Sequence, residues 1–143
     1  MTRNEPQIGD FFEVRRPGAG GEVSPPLGRV VSTNAVAGPT HGCILVYVYR
    51  SGSRPSRDDL LFPPLLTTRA PWLRGYFVHV RSEPLLQGDF FERHSFRDPH
   101  GRFVDEDGRP TDDPARPSME SKIFDVAAIE EAIASALAPT AKA

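Results

Sequence analysis

Short apolar segments separated by turn-forming residues dominate the chain. Ile8–Arg15 carries bulky and β-branched residues suited to a half-buried strand. Leu27–Thr33 follows a connection rich in glycine and proline, and it predicts the second strand of an opening hairpin. Cys43–Arg50 is the most apolar segment, which predicts a strand covered on both faces near the centre of a sheet. Gly75–Arg81 alternates with a period of two and predicts a further strand.

A small hairpin and one helix complete the stronger predictions. Glu92–Phe96 and Gly101–Val104 flank a turn at Asp98–His100, which is typical of two short antiparallel strands. Near the C-terminus, Asp125 suits an N-cap, and the apolar residues after it recur at helical spacing. This pattern predicts a helix over residues 125–138.

The segments between these elements are interpreted as mostly irregular. Ser56, followed three residues later by Asp59, has the pattern of a helix start that the prolines at 63 and 64 would soon stop. Trp72 falls in a loop beside Pro71. Residues 105–118 combine acidic residues with prolines, a composition that cannot bury much surface, so we expect an exposed acidic loop there.

Together these elements predict a mainly β (α+β) fold. It consists of a twisted antiparallel sheet of about six short strands, curled toward a barrel, with the C-terminal helix packed on one face. A chain of 143 residues suits a single domain over 1–143, and we expect residues 1–7 to be flexible. The residues expected in the core are Phe12, Val30, Ile44, Val46, Val78, Ile129 and Ile133.

Charge and hydropathy narrow the classes of partner. The net charge is −2, from 17 basic and 19 acidic residues, which is too weak a field for unselective binding of nucleic acid. The longest apolar run, Cys43–Tyr49, is far shorter than the ~20 residues of a membrane-spanning helix. Polar residues occupy the place of an export signal. We therefore expect a cytoplasmic protein with no nucleic-acid or membrane partner; no oligomeric state is predicted.

Catalytic and metal-binding chemistry has little support in the sequence. His94, Asp98 and His100 are residue types that bind divalent metals, but their spacing meets no metalloenzyme signature, so they are weak metal candidates. Cys43, the single cysteine, is expected to be an inert core thiol, and His79 a structural residue. The sequence contains no nucleophile elbow and no phosphate-binding loop. We expect no cofactor and name no catalytic residue.

Two groups of residues suit recognition of a protein partner. Aromatic and arginine side chains concentrate binding energy at interfaces, and three of them occur close together, with a half-buried Trp covering the sheet edge as the alternative. Acidic loop residues would steer a basic partner, with plain solvation as the alternative. The partner-binding candidates are Trp72, Arg69, Arg74, Asp105, Glu106, Asp107, Asp112 and Asp113.

Four motifs in a fixed order resemble a known family. They are IGDFFEV from Ile8, LGRV from Leu27, PWLRGYF from Pro71 and HSFRDPHGRFVDEDG from His94. This order is similar to that of the bacterial immunity protein 26 family, over roughly Ile8 to Leu137, and the block from His94 to Gly108 is its most specific part. The resemblance implies a protein that protects a cell against polymorphic toxins of its own kind. Its partner would be a cognate toxin domain, bound stoichiometrically without turnover.

Two other functions stay open at this point. Some relatives of that family carry the joint name phosphotriesterase HocA, which implies hydrolysis of organophosphate triesters as an alternative. Such hydrolysis normally needs a metal-activated water or a strong nucleophile. The third possibility is a structural or regulatory domain that binds some other protein through the same surface.

Overall fold

A five-stranded antiparallel sheet forms the centre of the molecule. The computed structural model describes residues 5–16, 25–50, 55–112 and 118–138. The strands of the sheet are β1 (Asp10–Val14), β2 (Leu27–Ala37), β3 (Thr40–Val48), β4 (Leu65–Thr67) and β5 (Phe77–Ser82). They lie side by side in the order β4-β3-β2-β1-β5, and every adjacent pair is antiparallel. The predicted opening hairpin is confirmed, because β1 pairs with β2.

A second, three-stranded sheet covers part of the first. β6 (Ser95–Arg97) pairs antiparallel with β7 (Phe103–Asp105), which confirms the predicted small hairpin, and parallel with β8 (Met119–Glu120). The described part of the chain thus holds eight strands in two sheets, where about six strands in one sheet were predicted. The large sheet does not close into a barrel, because its edge strands β4 and β5 are not paired with each other.

Both faces of the large sheet are covered, since successive side chains of a strand point to opposite faces. On one face Phe12 and its neighbours pack against the C-terminal helix. On the other face Phe11 belongs to a cluster that includes Phe96 of the second sheet. The whole run Cys43–Tyr49 is buried, which confirms that β3 is covered on both sides. Burial also raises the pKa of the Cys43 thiol, in keeping with an inert core cysteine.

The C-terminal helix, α2 (Val126–Leu137), begins at the predicted N-cap. The Oδ1 atom of Asp125 accepts a hydrogen bond of 2.8 Å from the backbone N–H of Ala128. Ile129 and Ile133 are fully buried, as predicted. Among the described helices, none has both the length and the apolar character needed to cross a membrane.

A polar clamp joins α2 to the large sheet. Glu130 accepts a hydrogen bond of 2.7 Å from the Tyr76 hydroxyl and another of 2.7 Å from Nη2 of Arg16. The hydrogen bond from Arg16 lowers the pKa of Glu130, against the opposing effect of burial, and burial raises the pKa of Tyr76. The clamp is therefore a carboxylate held ionised between a guanidinium and a phenol.

The expected burial of Val78 is wrong, and a β-bulge explains why. Phe11 pairs with Arg81, whereas Phe12 pairs with His79, so Val80 is an extra residue on β5. The bulge brings His79 and Phe77 opposite Phe12 and Val14, where an unbroken ladder would bring Val80 and Val78. Phe77 is accordingly 1% exposed, and Val78 is only half-buried. The other six predicted core residues are buried.

Two local predictions between the strands are also wrong. Residues 55–64 form turns and a bridge instead of a helix, because the prolines at 63 and 64 leave too few residues for a helix to nucleate. Trp72 lies in a one-turn helix, α1 (Ala70–Leu73), which has Pro71 in its first turn. In the predicted flexible N-terminus, residues 1–4 lie outside the described residues, and Pro6 is buried.

Replacement of Gly28 tests the tight packing between β1 and β2. A Cβ at this position would overlap the ring of Phe12 and lie 2.8 Å from the carbonyl oxygen of Tyr47. Gly28→Ala is therefore expected to reduce the free energy of unfolding by about 1–3 kcal/mol in urea denaturation. Gly88→Ala is the control, because a Cβ there meets nothing within 4 Å. Equal effects of the two substitutions would contradict the packing.

The pH dependence of stability tests the clamp at Glu130. A carboxylate whose pKa is lowered by folding stabilises the protein above its ordinary value of 4.5, and this contribution is lost as the pH falls through the lower folded value. Glu130→Gln is thus expected to destabilise the protein at neutral pH, with the difference from wild type shrinking below pH 4.5. Thermal unfolding between pH 3 and 7 measures this, with exposed Glu131→Gln as the control. A difference independent of pH would contradict the clamp.

Candidate binding clefts beside the second sheet

A chain of three side chains connects the two sheets beneath the candidate clefts. Tyr47 lies on β3, His94 immediately precedes β6, and Glu106 immediately follows β7. The Tyr47 hydroxyl and Nε2 of His94 are 2.7 Å apart, and Nδ1 of His94 and Oε1 of Glu106 are also 2.7 Å apart. The Phe91 backbone N–H donates a further hydrogen bond of 2.9 Å to the Tyr47 oxygen. These hydrogen bonds thus connect β3 of the large sheet to the segments on either side of the β6–β7 hairpin.

The hydrogen-bond partners assign the protons of this chain. Burial raises the pKa of Tyr47, so its hydroxyl stays protonated. Its oxygen accepts from the Phe91 N–H, and the hydroxyl keeps one proton to donate, with Nε2 of His94 2.7 Å away. The Glu106 carboxylate can only accept, so Nδ1 of His94 carries the proton in their hydrogen bond. Both ring nitrogens are hydrogen-bonded, so His94 links Glu106 to Tyr47 and fixes their relative position.

The weak metal candidates do not come together. His94 is buried against Glu106, whereas His100 is exposed. Oδ1 of Asp98 accepts hydrogen bonds from the backbone N–H groups of His100 and Arg102, each 2.9 Å long. In the part of the chain that the structure describes, no group of three His, Cys, Asp or Glu side chains is arranged to hold a metal ion.

Two successive turns around β7 have the same construction. Oδ1 of Asp98 and Oδ1 of Asp105 each accept from the backbone N–H groups two and four residues later. Each turn has a glycine at its fourth position, Gly101 and Gly108, with φ of 82° and 81°. The sequence signal for this repeat, which was not predicted, is the D-x-x-G-R motif that occurs twice at a spacing of seven residues.

The second of these turns docks on the large sheet. The backbone N–H of Val36 in β2 donates a hydrogen bond of 2.8 Å to the carbonyl oxygen of Glu106. Gly108 packs so closely that a Cβ there would lie 2.8 Å from Cγ1 of Val36. The turn is therefore held at both its backbone and the Glu106 side chain, which makes it a fixed platform.

An acidic groove of about 310 Å³ lies beside this platform. Asp107 and Glu92 are exposed, and Asp105 and Glu106 are half-buried. The groove is lined by Glu92, Arg93, His94, Asp105, Glu106, Asp107 and Thr111. Three predicted partner-binding residues thus share one surface. Asp112 is exposed and does not line the groove, and Asp113 lies outside the described residues.

A second cavity, the arginine cleft, has a volume of about 370 Å³. It shares Arg93 and His94 with the acidic groove. Its charged lining is formed by Arg50, Arg57, Arg93 and Asp58, and its apolar lining includes Leu61, Phe62, Pro63, Pro64, Phe91 and Phe96. Arginine predominates over carboxylate among these residues, so the two cavities have opposite charge on either side of a shared wall. Nothing in the sequence analysis predicted this cleft.

Trp72 is not the surface anchor that the sequence analysis considered. Its side chain is 3% exposed and contacts the rings of Phe12 and Phe77 edge to face, with centroids 5.3 and 4.9 Å away. The neighbouring arginines remain outside: Arg69 is exposed and pairs with Glu5 at 2.8 Å, and Arg74 is exposed. The α1 turn thus buries the indole and leaves the guanidinium groups in solvent.

A cluster of Ser82, His79 and Asp10 near the β5 bulge does not have the geometry of a catalytic triad. Oγ of Ser82 is 2.6 Å from Oδ1 of Asp10 and 3.0 Å from Nε2 of His79. In a hydrolytic triad the carboxylate instead orients the second nitrogen of the imidazole. Here the buried carboxylate bonds the serine directly, so the cluster pins β5 to β1. This arrangement agrees with the structural role predicted for His79.

Comparisons with known proteins give no assignment. No protein-family model, no curated protein and no solved structure matches this chain. The resemblance to the immunity protein 26 family accordingly stays a prediction from the sequence.

Removal of the Tyr47 hydroxyl tests the chain that connects the sheets. Tyr47→Phe would leave the Phe91 N–H and Nε2 of His94 without the partner they have in the structure. The expected loss in the free energy of unfolding is about 1–3 kcal/mol. His100→Ala, on an exposed side chain, is expected to change it by less than about 0.5 kcal/mol. ¹⁵N NMR of the imidazoles should show His94 as the Nδ1–H tautomer, and an Nε2–H tautomer would contradict the assignment.

Proposed function

We propose that this chain is a cytoplasmic immunity protein that binds a cognate toxin domain one to one and blocks its active site without turnover. The observation that carries the proposal is the position of the most specific part of the family resemblance. The block from His94 to Gly108 forms the two similar turns and supplies four of the seven residues that line the acidic groove. The resemblance and the candidate surface therefore coincide.

The construction of the groove suits recognition of a basic protein surface. Carboxylates that stay in solvent, such as those of Glu92 and Asp107, steer an oppositely charged partner and raise its association rate. Glu106 is held by His94, and the turn backbone is held by Val36. A surface fixed before binding loses less conformational entropy when the complex forms. Toxin nucleases are often basic, which makes a nuclease domain the partner class that this charge favours.

The molecule is large enough for such an interface. A stable complex buries roughly 800 Å² on each partner. The accessible surface of this chain is 8661 Å², so the interface would occupy about a tenth of it. The groove and its two turns would be the centre of that area, with neighbouring residues forming the rim.

The test begins with the isolation of the partner. The tagged protein would be used to capture its ligand from the native lysate, and the captured toxin domain would then be purified and assayed alone. We expect toxin activity to fall linearly to zero at one equivalent of this protein, with a one-to-one complex in size-exclusion chromatography and light scattering. A toxin that stays active in the complex would contradict the proposal. Metal-dependent turnover of a chromogenic phosphotriester, lost when His94 and His100 are both alanine, would favour the enzyme instead.

Neutralisation of the groove tests its role in the complex. Glu92→Gln with Asp107→Asn is expected to lower the association rate constant roughly tenfold at low salt, because exposed charges act mainly on diffusional encounter. The effect should shrink as salt screens the charges. Stopped-flow or surface plasmon resonance measures the rate. Glu131→Gln with Glu13→Gln makes the same change of charge outside the groove lining and should leave the rate nearly unchanged. Equal rates for both double variants would remove the groove from the interface.

A further inference from the structure

The walls of the arginine cleft are fixed by hydrogen bonds before any ligand binds. On one side, the backbone N–H of Arg50 donates to the carbonyl of Asp59 at 3.1 Å, and that of Leu61 donates to Val48 at 2.8 Å. These bonds attach the turn at 56–61 to the end of β3. On the other side, the Phe91 N–H is bonded to the Tyr47 hydroxyl. The cleft is therefore a preformed cavity rather than a gap between loose loops.

Arg57 bridges the two walls. Its Nη1 atom donates a hydrogen bond of 2.6 Å to the carbonyl oxygen of Phe90, and its guanidinium carbon lies 5.8 Å from the centroid of the Phe91 ring. A guanidinium has more N–H donors than this one bond uses. Arg57 is half-buried, so its orientation is held by the protein and its charge is only partly screened by water.

Positive charge converges on the cavity. Arg50 and Arg93 line it together with Arg57, and among the described lining residues Asp58 is the one carboxylate. Arg50 also pairs with Asp59 at 3.2 Å, which keeps its guanidinium at the rim. Planar guanidinium groups bind phosphate and carboxylate in a two-point geometry. The charged part of the cleft thus suits an anion.

The remaining lining is apolar and partly open to solvent. Leu61, Phe62, Pro63 and Pro64 on one wall and Phe91 on the other are all half-buried, so their accessible surface faces the cavity or its rim. Such flat side chains pack against planar ring systems. The volume of about 370 Å³ lies within the range of small-molecule sites.

We propose that the arginine cleft binds a small organic anion with a flat apolar body, of about the size of a nucleoside monophosphate. Its phosphate or carboxylate bonds Arg57, with Arg50 and Arg93 adding charge, and its planar body lies between Phe62 and Phe91. This site adjoins the acidic groove at Arg93 and His94, but the predominantly acidic lining of the groove repels such a ligand. It requires no toxin, so it stands or falls independently of the proposed immunity function.

Isothermal titration calorimetry on the purified full chain tests the proposal. The probes are adenosine 5′-monophosphate, its two halves adenosine and inorganic phosphate, and naphthalene carboxylate. We expect saturable one-to-one binding of the nucleotide or the carboxylate, tighter than that of either half of the nucleotide. The nucleotide and adenosine differ by the phosphate group, so their relative affinities measure what the anion contributes.

Substitutions locate the binding. Arg57→Gln is expected to weaken the affinity roughly tenfold or more, and Arg57→Lys to restore it only in part, because lysine keeps the charge but loses the planar fork. Arg50→Gln is a second test, because Arg50 is an exposed residue at the rim and its loss leaves the wall intact even if loss of Arg57 disturbs it. It is also expected to weaken binding. Arg102→Gln removes an exposed arginine outside the cleft and should have no effect. NMR spectra of each variant verify the fold.

Three results would overturn the proposal. The first is the absence of saturable binding for both whole ligands at millimolar concentration. The second is a loss of affinity with Arg102→Gln as large as that with Arg57→Gln or Arg50→Gln, which would mean unspecific attraction to surface charge. The third is inorganic phosphate binding as tightly as the nucleotide together with absent binding of the carboxylate, which would remove any role for the apolar walls.

Discussion

The buried hydroxyl of Tyr47 has to be hydrogen-bonded, and this requirement organises the side of the molecule that has both clefts. β3 is covered on both faces, so the phenol on it cannot reach water. The segment before β6 supplies its partners, Phe91 through its backbone and His94 through its ring. His94 in turn holds Glu106. These bonds fix where the second sheet packs on the first, and the walls of both cavities depend on that packing.

The same wall separates two surfaces of opposite charge. Carboxylates gather on the side of the turn at Asp105, and arginines on the side of the turn at 56–61. The near-zero net charge of the chain conceals this separation. A basic protein and a small organic anion are therefore each suited to a different side of Arg93 and His94. Electrostatic recognition here depends on local distribution, because charges farther apart than a Debye length are largely screened.

The opposite face of the large sheet carries an apolar core. There Phe12 stacks on Phe77 with centroids 4.1 Å apart, and Trp72 closes the cluster. Glu130 then ties α2 to Arg16 and Tyr76. These contacts are apolar or fully paired, as expected of a core that contributes stability. The acidic groove and the arginine cleft lie on the other side, beside the second sheet.

Patterns of neighbouring residues were enough to predict much of the fold. The alternation and apolar character of β1, β2, β3 and β5, the hairpin of β6 and β7, the N-cap at Asp125 and the burial of Cys43 all follow from local preferences and from the period of the side chains. The bulge at Val80, the burial of Trp72 and the placement of His94 beside Glu106 were decided by the tertiary structure. The tertiary structure also decided the two clefts. Their walls depend on hydrogen bonds between residues far apart in the sequence, Tyr47 with His94 and Arg57 with Phe90. A local pattern shows which side chains seek burial or a polar partner, but the partner is selected only when distant strands pack together.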